Sequence, residues 1–408
     1  MATQEATAPS GVSFDIEEET RLILQSIDEF VESEVEPLEA ELGETWTNKR
    51  KRHEDDGRRV PEVQEAVETV RRKSAEAGFY AMNLDEEDGG QGVSNVTWYR
   101  ALKHVAAMGP GLAEFVLAGP EGPKPLLARA EGDQREDYLL PVVRGEKSTG
   151  FAQTEPGAGS DSPNMETRAE REGDEWVING TKQWITNAPY ADFLQVFART
   201  TPQEEAGRYG GITCFLVEAE EYEIGSLNNA VSAEGRQAEV ILDDVRVPED
   251  RVLGTEDGAF YDAMEFLSLG RLEIGARAMG QAEFLLDRAV EYATDREAFG
   301  RPIGKFQGVS HKIARGKAKQ YAADAAGLRL AWEMDRGEQA IMESSIVKYL
   351  CTNVLFEIAE DVVGVHGGNG LSEDNPFMSS LQGARLLRIV EGTDEIQLNT
   401  IAKQMGVD

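Results

Sequence analysis

Cysteine is nearly absent: Cys214 and Cys351 stand far apart, with no Cys-x-x-Cys pair, and no two histidines have His-x-x-x-His spacing. A disulfide framework and a structural zinc site are not indicated, no metal is expected, and both cysteines are read as small buried apolar residues. No apolar run approaches the roughly 18 residues that cross a bilayer, and Met1–Gly11 lacks the basic-then-apolar order of an export signal. The expectation is a soluble, cytoplasmic protein with no membrane role. Positive charge is also scarce: 41 lysines and arginines face 75 aspartates and glutamates, a formal charge of −34. That balance lacks the basic footprint nucleic acid demands. In dilute buffer it would repel itself, but at molar salt the Debye length falls to about 3 Å. Because the acids are spread along the whole chain rather than gathered in one patch, we read them as adaptation to a salt-rich cytoplasm.

What is present is a change of hydrophobic period. A chain of 408 residues exceeds one ordinary core, so two or three domains are expected. Helical spacing runs from Phe14 to Leu42, from Pro61 to a stop at Gly78, from Val96 to Met108, from Leu112 to Ala130 with breaks at Gly119-Pro120 and Gly122-Pro123, and from Asp133 to Val143. Thr47 to Arg59 is polar and reads as a mobile surface connection. After Gly150 the period becomes alternating. Trp176 to Ile178, an Asn179-Gly180 turn and Thr181 to Ile185 suggest a β-hairpin, and Phe193 to Ala198, Ile212 to Val217 and Glu239 to Val247 suggest further strands. From Asp257 long helices return. The expected fold class is α+β multidomain, with an N-terminal α-helical domain (1–148), a central antiparallel β-barrel or sandwich (149–255) and a C-terminal four-helix bundle (256–408). Gly270, Gly275, Ala276, Ala278 and Gly280 along one helix point to close helix packing.

Chemistry concentrates near the C-terminus, where Glu391 lies between two helical runs with Gly392 beside it, so that backbone can approach a ligand. Glu391 is a candidate base. Asp394 and Glu395 rival it on chemistry alone, although acids at those positions also suit the first turn of a helix. Thr154 to Asp161 is glycine-rich, yet it lacks the Lys-Ser/Thr of a P-loop and runs on into strands rather than a helix, so neither a P-loop nor a dinucleotide fingerprint fits.

Four ordered stretches carry a resemblance: Thr154-Glu155-Pro156-Gly157-Ala158-Gly159-Ser160-Asp161; Asn179-Gly180 through Trp184-Ile185-Thr186-Asn187; Arg296 to Gly300 with Gln307; and Glu391-Gly392-Thr393 with Ile396-Gln397. Together they resemble the FAD-dependent acyl-CoA dehydrogenases over roughly residues 15–405. The resemblance implies α,β-dehydrogenation of an acyl-CoA to the trans-2-enoyl-CoA, with Glu391 removing the α proton, FAD accepting the β hydride and electrons passing to an electron-transfer flavoprotein. It also implies fatty acid β-oxidation and a homotetramer. Some members take their base from the helix around Leu267 to Arg271, but the matching position here is Gly270, which has no carboxylate. By the same resemblance Phe151, Thr154, Trp184, Ile185 and Thr186 line the flavin ring. Arg296, Phe299, Gln307, Gly367 and Gly368 receive the pyrophosphate and adenine of a neighbouring subunit's FAD, and Thr393 and Glu395 meet its adenosine half. Ser160, Arg271, Gly392 and Lys403 fall to the acyl-CoA.

Several positions depart from the family pattern. They are Val390 for a Tyr, Leu398 for an Arg, Gln153 for an apolar residue, Gly364 for a Gln and Glu297-Ala298 for a Lys-Thr type pair. These leave chain length unassigned. An acyl-CoA oxidase, a flavin monooxygenase and a non-catalytic binding homologue share the same fold.

Overall fold

The computed structural model describes residues 16–228 and 236–407, so Phe14 and Met1–Gly11 lie outside the described residues. The first helix, α1 (Glu18–Phe30), runs on through a π-turn at Val31–Val35 into Glu36–Leu42, and its apolar face buries Ile27, Phe30, Val31 and Val35. Helix α2 (Pro61–Glu76) begins on Pro61, whose missing N–H costs nothing in a first turn, and Gly78 ends it at φ +84°. Helix α3 (Asn95–Ala107) is capped by Ser94, whose Oγ accepts from the Thr97 N–H at 3.1 Å. The Asp335 carboxylate accepts from the N–H groups of Asn95 and Val96 at 2.6 and 3.2 Å, tying the start of α3 to a helix end 240 residues away.

Two expectations fail in this first third. Leu112 to Ala130 is not a helix, since it holds only single turns at Leu112–Phe115 and Leu127–Arg129. The prolines at 120 and 123 remove N–H donors, and the segment instead packs Leu112, Val116, Leu117 and Leu127 inside. Nor is Thr47 to Arg59 merely a surface connection. Arg59 is buried, its N–H donates to Tyr190 Oη at 2.7 Å, and its guanidinium lies over the rings of Phe115 and Tyr190.

The middle of the chain contributes β1 (Thr149–Ala152), β2 (Arg168–Glu172), β3 (Glu175–Thr186), β4 (Phe193–Arg199), β5 (Ile212–Glu218), β6 (Glu223–Leu227), β7 (Gln237–Pro248) and β8 (Val252–Leu253). They form one mostly antiparallel sheet in the order β6-β7-β3-β2-β4-β5-β8, with β1 added in parallel to β4. The order does not close into a barrel; the sandwich alternative fits. The expected Asn179-Gly180 turn is absent. Strand β3 runs straight through it, and the register slips there because β7 carries the extra residue, with Asp244 at φ +49°. Glycine is needed there for close approach, because a Cβ at Gly180 would lie 2.7 Å from Thr167 Cα. Asn179 is bound in place by Asp244, whose N–H donates to Asn179 Oδ1 at 2.9 Å.

The last third is helical: α4 (Leu267–Asp295), α5 (Gln307–Asp335), α6 (Ile341–His366), α7 (Phe377–Leu387) and α8 (Asp394–Gln404), with a two-residue hairpin of β9 (Glu297–Ala298) and β10 (Arg301–Pro302) between α4 and α5. The small residues of α4 do serve packing: a Cβ at Gly280 would strike Ala106, and one at Gly275 would meet Val347 at 2.8 Å. One apolar cluster joins α1, α2 and α3 to α4, α5, α6 and α7, so the two helical thirds share a core, while the sheet has its own. Cys214 and Cys351 are both buried. Among the described residues, no helix is long and apolar enough to cross a membrane.

Candidate active site

Helix α7 ends at Leu387 and α8 begins at Asp394, and the turn between them puts two successive residues in the left-handed region, Glu391 at φ +51° and Gly392 at φ +94°. For glutamate that conformation is strained. The turn is held by two buried side chains from outside it. Gln397 Nε2 donates to the carbonyls of Glu391 and Gly392, each at 3.0 Å, and Lys348 Nζ donates to the Gly392 carbonyl at 2.7 Å. Thr393 caps α8, its Oγ1 accepting from Ile396 N–H at 3.4 Å. The consequence is a carboxylate aimed at α4: a Cβ on Gly270 would lie 2.3 Å from Glu391 Oε2. Any other side chain at 270 would occupy the place where Glu391 sits.

Glu391 is exposed to solvent, with Lys124, Glu273, Arg271 and Lys348 close enough to act on its charge. Desolvation raises its carboxyl above the ordinary carboxylate range; Lys124 opposes the shift, Glu273 adds to it, and Arg271 and Lys348 oppose it. Arg271 is buried rather than a surface cation. Its guanidinium donates to Ser345 Oγ at 3.0 Å, and burial lowers its pKa against the pull of Glu391. Burial also pushes Lys348 down to about 8. The rival acids are otherwise engaged. Asp394 is buried and receives Arg388 Nε at 2.7 Å, while Glu395 is exposed on the first turn of α8, its carboxyl held low by backbone N–H and the Thr393 hydroxyl.

A second cluster lies on the sheet. The register of β3 against β7 slips between Lys182 and Ile185, and within that bulge Trp184 takes φ +61° and is turned outward, 53% exposed. Bulges re-aim side chains in this way. Gln183 N–H donates to the Thr154 carbonyl at 2.9 Å, which ties the Thr154 segment to the Trp184 bulge, and Phe151 and Trp184 are both exposed; Ile185 is not brought to them, since its side chain is buried in the core of the sheet. Phe151 is exposed and leans on Phe197. The neighbouring Gln153 Nε2 is buried with no hydrogen-bond partner among the described residues. Exposed aromatics beside an orphaned donor fit a flat polar-edged ring system such as a flavin. The glycine-rich loop before β2 is fixed by a buried ion pair: Lys182 Nζ lies 2.7 Å from Glu155 Oε1, and Glu155 also accepts from the N–H groups of Glu166 and Thr167 at 2.6 and 3.0 Å. Burial pushes Lys182 down to about 8, and the ammonium with those donors holds Glu155 low. Ser160 is exposed at the far end of this loop, next to Asp161, which pairs with Arg208.

The third cluster is at one end of the bundle, where His366 stacks between Tyr292 and Phe377. Arg296 and the β9–β10 hairpin follow α4 there, Gln307 opens α5, and Gly367 and Gly368 follow α6. Phe299, at φ +53°, is 96% exposed, and nothing lies within 4 Å of a Cβ at Gly367 or Gly368. Open backbone beside a cation and a projecting aromatic suits a phosphate and a base. Lys403 is exposed in the last turn of α8. The sequence reading did not single out Lys124, Lys182, Glu273 or Lys348. Lysine is ordinarily a surface residue, and no local pattern shows that these meet buried acids or carbonyls.

Comparison with known proteins supplies the frame. Three family profiles match in order: acyl-CoA dehydrogenase N-terminal domain over residues 17–146, middle domain over 150–245 and C-terminal domain over 257–406. The chain is 33% identical over 393 residues to a 3-(aryl)acrylate reductase of Clostridium sporogenes, covering 95% of this chain and 98% of that protein. It is 32% identical to the caffeyl-CoA reductase-Etf complex subunit CarC of Acetobacterium woodii, covering 84% and 91%. The butyryl-CoA dehydrogenase structure from Megasphaera elsdenii superposes with a TM-score of 0.80 at 28% identity, covering 96% and 99%.

Proposed function

The chain belongs to the acyl-CoA dehydrogenase family of oxidoreductases acting on CH–CH bonds, and on that premise we propose that it interconverts a saturated acyl-CoA and its trans-2-enoyl-CoA with Glu391 as the base at the α carbon. The observation that carries this is the Glu391 carboxylate lying against a side-chain-free Gly270, on a turn held by Gln397 and Lys348. Desolvation moves its proton affinity toward that of an activated α carbon, which lowers the cost of the transfer. Its own backbone N–H is the donor for the thioester oxygen, where negative charge grows as the proton leaves. Bound FAD supplies the acceptor of the β hydride and the route of electrons to an electron-transfer flavoprotein.

Phe151, Thr154, Trp184, Ile185 and Thr186 would hold the flavin ring. Arg296, Phe299, Gln307, Gly367 and Gly368 would hold the pyrophosphate and adenine of a neighbouring subunit's cofactor, with Thr393 and Glu395 on its adenosine half, which requires an oligomer such as a homotetramer. Ser160, Arg271, Gly392 and Lys403 are assigned to the CoA thioester. Two relatives named as reductases favour a second direction on the same residues, in which Glu391 returns a proton to the α carbon of an enoyl-CoA.

The test is to purify the protein in molar KCl, the medium its −34 charge suits, and to follow the flavin absorbance anaerobically while acyl-CoAs are added. Bleaching by at least one saturated acyl-CoA is expected, and a reduced flavin that air reoxidises, with formation of peroxide, far more slowly than the acyl-CoA reduces it separates dehydrogenase from oxidase. A colourless protein that takes up no FAD removes the proposal, and a protein equally stable in dilute buffer contradicts the salt-rich cytoplasm. A milder variant probes the geometry. Gly270→Ala adds a methyl that collides with Glu391 Oε2, so the carboxylate must swing away. The protein should fold and stay yellow while kcat falls about 10²-fold, the cost of misplacing a reacting group by about 1 Å. Unchanged kcat would show that Glu391 does not work from this position.

A further inference from the structure

We propose that Lys124 receives the acyl group, and that the acyl chain of the substrate therefore bears an acceptor oxygen, a carboxylate or a hydroxyl, beyond the β carbon; this rests on Glu391 being the base. Gly270 and Glu273 are three residues apart on α4 and share one face, about 4.5 Å apart along the axis. Gly270 faces the Glu391 carboxylate, and Glu273 holds the Lys124 ammonium, with Nζ to Oε2 at 2.5 Å. Lys124 thus stands one helical turn from the base.

The cation is fixed there. Glu273 is buried and its other oxygen accepts from Trp98 Nε1 at 3.1 Å, so the carboxylate cannot swing with its partner. The loop bearing Lys124 is fixed too: three residues earlier the Glu121 carbonyl accepts from Thr149 N–H at 3.0 Å, and the buried Glu121 carboxylate pairs with Arg236 at 3.0 Å. An ammonium carries three donors. Among the described residues Glu273 is the one hydrogen-bond partner of Lys124 Nζ, and the side chain remains 26% exposed. Two donors are thus left without a protein acceptor among the described residues. A hydrocarbon chain laid over them would strip their water and replace it with nothing, whereas an oxygen acceptor would restore the bonds. If Lys124 acted only by lowering the proton affinity of Glu391, its removal would shift the pH profile equally for every substrate.

The experiment compares kcat/KM of the FAD-loaded protein for acyl-CoAs matched in length: hexanoyl against 6-hydroxyhexanoyl and the adipic half-thioester, and 3-phenylpropanoyl against its 4-hydroxyphenyl analogue. The oxygen-bearing member of at least one pair should be preferred about tenfold or more, as a charge-assisted hydrogen bond implies. Lys124→Met/Glu273→Gln, which leaves no buried charge and keeps an acceptor for Trp98, should erase the preference, and Lys124→Arg should retain it. Flavin content and a thermal melt establish that each variant is folded. A hydrocarbon preference in the parent protein, or an oxygen preference that survives the double variant, overturns the inference while leaving Glu391 as the base. Failure of every thioester to reduce the flavin overturns both.

Discussion

Glutamine at position 391 should give a folded, yellow protein that no acyl-CoA reduces. The amide matches the carboxylate in size and leaves Gln397 and Lys348 their backbone carbonyls, yet it cannot take a proton. The expected loss in kcat is on the order of 10²–10⁴-fold, the usual contribution of a positioned general base. The raised proton affinity of Glu391 adds two pH effects. The acid limb of kcat/KM should lie above the ordinary carboxylate range, because the free protein must lose this proton to act. For stability, a carboxyl whose folded pKa exceeds its unfolded value supports the fold below the unfolded pKa and loses that support as pH rises through the folded one. Ionised Glu391 is therefore a liability at neutral pH. Glu391→Gln should melt higher than the parent at pH 7, and the gain should vanish in acid. A lower melt at pH 7 would mean that the surroundings of Glu391 stabilise the charged form after all.

Lys182→Met should produce the largest loss of stability, about 3–5 kcal/mol, the usual cost of leaving one partner of a buried ion pair alone. Lys182 is fully buried and Glu155 nearly so. Without the ammonium, Glu155 would sit uncompensated between two backbone donors. The Thr154–Asp161 loop would loosen from β3, and the flavin content of the purified protein should fall with it. Lys182→Met/Glu155→Gln removes both charges and should recover most of the lost stability, since apolar replacement of a whole buried pair is often near neutral. Chemical denaturation of the three proteins reads this directly. A single variant with an unchanged midpoint would show that the pair is ornamental.

These two sites differ in how visible they were beforehand. Glu391 sits in a short motif between helices, and the glycine beside it advertises exposed backbone. Local punctuation was equally readable: Pro61 opens α2 and Gly78 closes it because first-turn proline and left-handed glycine act within a few residues. Lys182, Lys348 and Lys124 were not visible, since their partners lie 27, 44 and 149 residues away and nothing local marks a lysine that will be buried. Asn179-Gly180 misled for the opposite reason. The dipeptide states a strong local preference, but the neighbouring Thr167 and the long pairing of β3 with β7 override it, leaving a bulge. The same tertiary logic turned the apolar spacing of residues 112–130 into a packed loop, whose Glu121 and Lys124 reach β1 and α4 at once.

Hydrogen exchange at the α carbon isolates the proposed role of Glu391 from everything downstream of it. The FAD-loaded protein and Glu391→Gln would each be held anaerobically in deuterium oxide with a saturated acyl-CoA that bleaches the parent, and the recovered thioester weighed by mass spectrometry. The account predicts deuterium at the α position with the parent protein and none above the uncatalysed background with the variant. Equal incorporation by both would mean that another group removes the proton, and the assignment of Glu391 would fall.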